Sequence, residues 1–278
     1  MKDISIQELK NTAVQMRMKV IDMIYKAQSG HPGGSLSAAD FVTACYFKYM
    51  NLDPKNPRWE DRDRMVLSKG HVCPIQYACL ASVGFFPESE LDTLRKEGSM
   101  LQGHPSMNKC PGIDISTGSL GQGAACAVGM ALAAKADHKD YRVFTMVGDG
   151  EIDEGIVWEG MMAAHKYRLD NYILILDNNG LQLDGTTDQV MPHLDLTRKA
   201  ADFGFDTYEI DGHDMDQILE TFDKIRAAKN GKPKFINAHT IKGKGVDFME
   251  NQAEWHGMAP NEQQYASAMK QLGKEMEG

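Results

Sequence analysis

Two short apolar runs, each followed at once by small, acidic or amide residues, most constrain the fold of this chain. The first is RVFTMV at residues 142–147, which ends in Gly148-Asp149-Gly150, and the second is YILIL at residues 172–176, which ends in Asp177-Asn178-Asn179. Apolar runs without polar interruption are typical of strands that are buried on both faces of a parallel sheet. A helix predicted at Asp153–Tyr167 joins them into a strand–helix–strand unit.

The rest of the chain continues this alternation. Helices are predicted at Ile6–Gln28, Ser37–Met50, Glu88–Lys96, Leu120–Asp137, Asp216–Ala228 and Asn261–Gly278. Strands are predicted at Arg64–Ser68, Thr207–Ile210 and Phe235–Thr240, and irregular segments at residues 53–63 and 100–118. The pattern indicates an α/β fold, in which one parallel sheet carries helices on both faces. Because no repeat or linker interrupts it, we expect a single domain over residues 1–278.

Composition argues against several classes of partner and compartment. The formal net charge is −9, which does not favour nucleic acid or an anionic membrane as a partner. No stretch of 18 apolar residues exists and the first residues lack the apolar core of a signal peptide, so no membrane insertion is expected. The five cysteines are odd in number and form no CxxC pair, which favours reduced thiols and a cytoplasmic location.

The residues that follow the two apolar runs have the chemistry of a metal and phosphate site. Ligands of open parallel sheets bind at the carboxyl ends of the strands, where both motifs lie. Asp149 offers a carboxylate, Asn179 an amide oxygen and Leu181 a backbone carbonyl, all of which suit Mg²⁺ or Ca²⁺. The amide of Gly150 can donate to a phosphate. Either motif alone is usually a turn, but the two together at this spacing favour a ligand site.

Gly-Asp-Gly followed some 25 to 30 residues later by Asn-Asn resembles the signature of thiamine-diphosphate enzymes, and the flanking motifs resemble transketolase. The matching segments, which run along essentially the whole chain, are Ser29–Gly34, Ser68–His71, Gly103–Pro105, Ser116–Gly123, Thr240–Gly245 and Trp255–Gly257. Deoxyxylulose-phosphate synthases share the Gly-Asp-Gly, Gly-His and Lys-Gly-Lys-Gly elements. The His-Pro-Gly-Gly, Gly-Ser-Leu-Gly-Gln-Gly and Trp-His-Gly elements together point to transketolase.

The resemblance implies a thiamine-diphosphate-binding fold and a set of ligand-binding residues. Asp149, Asn179 and the Leu181 carbonyl are expected to hold a divalent metal, which is Mg²⁺ (or Ca²⁺ or Mn²⁺). The residues expected at the cofactor are His71, Gly118, Ser119, Leu120, Gly150, Glu154, Asn179, Lys242 and His256. Among them, Gly118, Ser119 and Leu120 are expected at the cofactor rings, and Gly150 and Lys242 at the diphosphate.

Four histidines in glycine-rich motifs are the predicted catalytic residues: His31, His71, His104 and His256. By resemblance they converge on a sugar whose bond between C2 and C3 is cleaved. A neutral imidazole suits removal of the C3 hydroxyl proton because its ordinary pKa is close to neutral pH. His71 and His256 are the preferred candidates for proton transfer. No role is predicted for the other five histidines, which include His213 and His239.

Two further glutamates, Glu154 and Glu159, begin the helix after Gly-Asp-Gly and allow two interpretations. Acidic residues are common at a helix N-terminus because they interact favourably with the helix dipole. The resemblance offers a proton-sharing network between two active sites at a dimer interface instead. Such a network requires at least one carboxyl group with a raised pKa.

The resemblance also implies that an essential part lies outside these 278 residues. In transketolases the glutamate that activates the cofactor belongs to a second, pyrimidine-binding domain. We therefore expect an N-terminal subunit that is inactive alone and works with a C-terminal transketolase subunit in an α₂β₂ assembly on sugar phosphates. Three alternatives stay open: a ketol transferase for a modified sugar (a sulfo-sugar or branched ketose phosphate), a subunit like deoxyxylulose-phosphate synthase or a 2-oxoacid decarboxylase, and, least favoured, a non-catalytic cofactor-binding protein.

Overall fold

The two apolar runs form neighbouring central strands of a five-stranded parallel sheet. The computed structural model describes residues 3–276. Its strands are β1 (Arg64–Leu67), β2 (Val143–Gly148), β3 (Tyr172–Asn178), β4 (Asp206–Asp211) and β5 (Lys234–His239). Their order across the sheet is β1-β2-β3-β5-β4, and every neighbouring pair is parallel. The predicted α/β fold with a parallel sheet is therefore confirmed.

Ten α-helices of the described residues surround the sheet. They are α1 (Ile6–Ala27), α2 (Pro32–Ser37), α3 (Ala39–Ala44), α4 (Cys73–Val83), α5 (Gln122–Ala136), α6 (Gly155–Lys166), α7 (Thr187–Val190), α8 (Leu196–Asp202), α9 (Met215–Ala227) and α10 (Glu262–Glu275). Shorter turns are a π-helical turn at Cys45–Tyr49 and 3₁₀ turns at Gly70–Val72, Glu88–Thr93, Glu151–Asp153 and Ala253–His256. The last two positions of the helix predicted at the end of the chain lie outside the described residues. Within residues 3–276, no helix is long and apolar enough to cross a membrane.

Both faces of the sheet are buried, which explains the uninterrupted apolar runs. Phe144 and Met146 of β2 belong to a core formed with α1, α3, α4 and α9. Val143 and Val147 of the same strand belong to a second core with α5, α6 and α8. Successive side chains of a strand point to opposite faces, so a strand covered on both sides is apolar at each position. β4 lies at the sheet edge and is only partly buried.

Several predicted elements differ from the structure. A short helix that is not predicted, α2, begins at Pro32 directly after His31, and proline is compatible with the first position of a helix. The helix predicted at Ser37–Met50 is divided into α3 and the π-helical turn. The segment predicted as a helix at Glu88–Lys96 is a 3₁₀ turn. The helices α4, α7 and α8 are not predicted from the sequence either.

Candidate active site

A cavity of about 360 Å³ opens at the carboxyl ends of the strands. Its walls come from the segments that follow β1, β2, β3 and β5, together with α2. Nine of the thirteen predicted site residues line it: His71, Gly118, Leu120, Asp149, Gly150, Asn179, Leu181, Lys242 and His256. The register brings the two diagnostic motifs together, because Gly148 of β2 pairs with Asp177 of β3.

Asp149 is the buried carboxylate at the end of β2, with 2% of its surface exposed. Its Oδ2 accepts a hydrogen bond from the Asn179 amide nitrogen at 3.0 Å. Its Oδ1 is buried and has no hydrogen-bond partner in the described residues. The Asn179 Oδ1 accepts from the Leu181 amide at 3.2 Å, so the three predicted metal ligands are contiguous. An unpaired buried carboxylate oxygen beside an amide oxygen fits a hard divalent cation.

The raised pKa of Asp149 also favours a cation at this position. Burial, followed by the nearby carboxylate of Asp177, raises the pKa of Asp149 to about 7. A bound cation would remove this penalty because it favours the ionised carboxylate. No group of three His, Cys, Asp or Glu side chains suited to a metal occurs among residues 3–276. A cation at Asp149 would therefore draw its other ligands from an amide, a carbonyl and a bound phosphate.

Asp177 joins three segments behind the cavity. Its carboxylate accepts hydrogen bonds from Lys69 Nζ, from Ser37 Oγ at 2.5 Å and from Thr240 Oγ1. Burial by itself raises the pKa of Asp177, but Lys69 and the two hydroxyls outweigh it, so the net pKa is lowered. Asp177 and Lys69 are both almost fully buried. No role for either is predicted from the sequence, although Lys69 belongs to the Ser68–His71 motif and Asp177 is the charged end of an apolar run.

The four predicted catalytic histidines lie together. The His31 ring centroid is 5.2 Å from that of His71, 5.4 Å from that of His256 and 6.4 Å from that of His104. His71 and His256 are 5.0 Å apart. These residues come from four segments of the chain that are distant in sequence. His71 and His256 line the cavity itself, whereas His31 and His104 lie beyond its lining.

Burial keeps these imidazoles neutral. It is the main cause that lowers the pKa of His71 to about 2 and the pKa values of His31 and His256 to about 4. The pKa of His104 is also lowered, mainly by burial. Neighbouring histidines, Lys69 and Lys242 add to the effect at several of them. At neutral pH the site therefore presents neutral imidazoles that can accept a hydrogen bond from a substrate hydroxyl. With pKa values of about 2 to 4 in the cofactor-free chain they are weaker bases than the near-neutral imidazoles expected from the sequence.

Two lysines give the cavity its positive charge. Lys69 and Lys242 both line it, and both are 2% exposed. Burial, then repulsion from Lys69, lowers the pKa of Lys242 to about 8, which leaves it mostly protonated at neutral pH. A cavity lined by two buried lysines and the amide of Gly150 is suited to an anion such as a diphosphate.

The remaining predicted residues lie outside the cavity lining. Ser119 and Glu154 are exposed, as is Glu159 on α6. The carboxyl group on this segment that faces the cavity is Glu151, whose Oε1 accepts from Ser68 Oγ at 2.5 Å and from the Gly121 amide at 2.8 Å. Burial raises the pKa of Glu151 to about 7. The one sequence signal for Glu151 is its position directly after Gly-Asp-Gly.

Residues 9–277 match the family described as "Transketolase, thiamine diphosphate binding domain". The chain belongs to the transketolase family. The predicted resemblance is thus confirmed, and the cavity with its Gly-Asp-Gly and Asn-Asn walls lies in the family's thiamine-diphosphate-binding domain.

Two relatives match this chain over nearly their whole length, whereas a third is matched over less than half of its length. It is 44% identical to a 6-deoxy-6-sulfo-D-fructose transketolase subunit of Clostridium sp. (strain MSTE9), over 96% of this chain and 97% of that protein. It is 40% identical to an apulose-4-phosphate transketolase subunit of Phocaeicola vulgatus, over 98% and 96% of the two chains. The Mus musculus transketolase is 43% identical over 91% of this chain, but only 40% of that protein is covered.

Solved transketolase structures share the fold. The transketolase of Campylobacter jejuni superposes with a TM-score of 0.90 at 34% identity, over 98% of this chain and 43% of that chain. The Leishmania mexicana transketolase gives the same TM-score at 30% identity, over 99% of this chain and 42% of that one.

Proposed function

We propose that this chain is the N-terminal, cofactor-binding subunit of a two-subunit transketolase. With a C-terminal subunit that carries the pyrimidine-binding domain, in an α₂β₂ assembly, it transfers a two-carbon ketol unit from a ketose phosphate to an aldose phosphate. The observation that carries the proposal is the cavity, which combines an unpaired buried carboxylate oxygen, two buried lysines and adjoining neutral histidines. Two relatives named as subunits match over nearly their whole length, which supports a divided enzyme.

The groups that line the cavity support thiamine diphosphate and Mg²⁺ as its ligands. Asp149, Asn179 and the Leu181 carbonyl would hold Mg²⁺, while Lys242 and the Gly150 amide would bind the diphosphate. Thiamine diphosphate, when bound, supplies the nucleophilic carbon and the electron sink needed for carbon–carbon cleavage. Since the chain offers so few metal ligands of its own, we expect metal and diphosphate to bind together.

The histidines of this chain would bind the sugar and transfer its protons. His71 and His256 line the cavity 5.0 Å apart, and one of them would take the proton from the C3 hydroxyl. His31 and His104 stand further out and would bind sugar hydroxyls. Burial holds the imidazoles of the cofactor-free chain in their neutral form, so each can accept a hydrogen bond from a sugar hydroxyl.

Reconstitution with the partner tests the proposal. The purified chain, mixed with a C-terminal transketolase subunit from the same source, is expected to transfer ketol units only when thiamine diphosphate and Mg²⁺ are present. Neither chain alone is expected to turn over. Full activity of the single chain would contradict the two-subunit proposal. In the mixture, Asp149→Ala should abolish metal-dependent cofactor binding and activity together, and activity that survives this change would refute the metal assignment.

A modified sugar is the second candidate substrate. The relatives at 44% and 40% identity are named for 6-deoxy-6-sulfo-D-fructose and for apulose 4-phosphate. The reconstituted pair should be assayed with pentose phosphate pathway sugars, with 6-deoxy-6-sulfofructose and with apulose 4-phosphate as donors. The donor with the highest kcat/KM decides between them. Turnover of pyruvate would favour a synthase of the deoxyxylulose-phosphate type instead.

A further inference from the structure

A buried ion pair joins α1 to α3. Arg17 on α1 donates from Nη1 to Asp40 Oδ1 at 3.2 Å and from Nη2 to Oδ2 of the same carboxylate. The side chains of Arg17 and Asp40 are 2% and 9% exposed. Arg17 Nε also donates to the Leu36 carbonyl of α2 at 3.2 Å. Arg17 thus links α1 to both α2 and α3.

His213 extends this network toward the cavity. Its Nδ1 lies 2.8 Å from Asp40 Oδ2, and its Nε2 accepts a hydrogen bond from the Ile241 amide at 2.8 Å. A backbone N–H can only donate, so Nε2 carries no proton and the ring proton resides on Nδ1, which donates to Asp40. Both ring nitrogens are therefore occupied, and the geometry specifies one neutral tautomer.

The amide that His213 holds directly precedes Lys242. Residues 240–245 contain no regular helix or strand, and Gly243 and Gly245 have positive φ values of 82° and 89°. Gly243 nitrogen also donates to the Gly33 carbonyl at 2.9 Å, which ties the same segment to α2. Functional groups on irregular segments need such supporting bonds to hold their position.

We propose that His213 is a positioning residue, which sets Lys242 in the cavity by holding the Ile241 amide against the Arg17–Asp40 pair. The inference rests on the proposed function for the role of Lys242 at the diphosphate. The hydrogen bond itself is a property of the chain alone. Lys242 reaches His256 Nδ1 at 3.1 Å, so a displaced Ile241 also disturbs the contact between these two cavity side chains.

Two substitutions of His213 distinguish its hydrogen bond to Asp40 from its hydrogen bond with Ile241. His213→Asn retains a donor near Nδ1 for Asp40 but is too short to accept from Ile241. His213→Gln carries both a donor and an acceptor at about the required separation. His239→Gln is the matched control, because His239 lies two residues before Ile241 on the same strand end, yet its side chain is 53% exposed and pairs with Glu209.

Hydrogen exchange of the Ile241 amide in the full-length chain is the direct measurement. His213→Asn should speed exchange roughly three- to tenfold, which corresponds to loss of one ordinary hydrogen bond. His213→Gln and His239→Gln should remain near the wild-type rate. If His213→Asn does not fold, His213→Leu is used instead. Leucine also cannot accept the hydrogen bond from Ile241, while Asp40 keeps its pair with Arg17. Unchanged Ile241 exchange in the folded variant would overturn the proposal.

Affinity for thiamine diphosphate in the presence of Mg²⁺ gives the second readout. It should fall roughly three- to tenfold in His213→Asn and recover in His213→Gln. A Gln variant as impaired as the Asn variant, with the same thermal stability as wild type, would overturn the positioning role. If the wild-type chain with its partner binds no thiamine diphosphate, the proposed function fails, while the exchange of Ile241 still reports on the His213 contact.

Discussion

Lys242 Nζ lies 3.1 Å from Nδ1 of His256, so the imidazole accepts a hydrogen bond from the ammonium group. Burial, then Lys242, lowers the pKa of His256 to about 4. Lys242→Met keeps the ring buried but removes the nearest cation, so the pKa of His256 should rise from about 4 toward its ordinary value. An NMR titration of the imidazole resonances measures it. Lys139→Gln, at an exposed ion pair, should leave it unchanged, and an equal shift in that control would contradict the assignment.

Asp149→Asn should stabilise the chain at alkaline pH when metal and cofactor are absent. The pKa of Asp149 is raised from 3.8 to about 7 in the folded state, so that state binds the proton more tightly than the unfolded state does. The wild-type free energy of unfolding should therefore fall as the pH rises from about 4 to 7. Asparagine carries no charge, and its advantage should be absent near pH 4 and reach on the order of 1–3 kcal/mol above pH 7.

Urea unfolding of wild type and variant at about pH 4 and about pH 8, near the two ends of this window, measures this difference. The exposed substitution Asp202→Asn serves as the control. The same experiment with thiamine diphosphate and Mg²⁺ should reverse the ranking, because only wild type gains stability from the ligands. A variant that is less stable than wild type at both pH values without ligands would contradict the unpaired state of Asp149 Oδ1.

His71→Gln should lower kcat of the reconstituted enzyme by roughly 10²- to 10⁴-fold, the usual contribution of a proton-transferring group. Because the pKa of His71 is about 2, its imidazole is already neutral above about pH 4 in the cofactor-free chain. The acid limb of a wild-type pH–rate profile above about pH 5 is thus not expected to come from His71. His138→Gln, at an exposed turn, is the control. A loss below about threefold would assign the proton transfer elsewhere.

Gly70→Ala should destabilise the chain by about 1–3 kcal/mol and weaken cofactor binding. A methyl group at Gly70 would lie 2.6 Å from Thr117 Oγ1 and 2.9 Å from the Gly118 nitrogen, so the turn at Gly118, which lines the cavity, would have to shift. Gly129→Ala is the matched control, since nothing lies within 4 Å of its added methyl group on α5. It should be neutral or stabilise the chain by up to about 1 kcal/mol. Thermal unfolding and calorimetric titration check both.

The sheet was the most predictable part of the fold, because strands buried on both faces leave an uninterrupted apolar pattern. α4 was missed for a related reason: it is apolar on all sides and lacks the 3.6-residue period that marks a surface helix. The break between α2 and α3 and the π-helical turn depend on packing between helices. Local sequence does not encode these contacts strongly enough to predict them.

For the site, sequence motifs predicted the residues that stand at strand ends and glycine-rich turns. They did not predict the supporting side chains, since these meet partners far away along the chain. Ser37 and Asp177 are separated by 140 positions, and Asp40 and His213 by 173. Such pairs have no fixed spacing to recognise in a single sequence, and only the folded arrangement reveals them.

Because three segments bind the same Asp177 carboxylate, the wall that they form is ordered before a ligand binds. Lys69, Ser37 and Thr240 come from three separate segments, yet each is fixed to this one group. None of the three segments can shift without breaking a bond at a buried charge, so they behave as one rigid wall. Most of the conformational entropy of that wall is then lost during folding rather than when the ligand arrives. Substitutions at Asp177 should consequently make binding slower and more enthalpy-driven, as the wall reorders around each ligand.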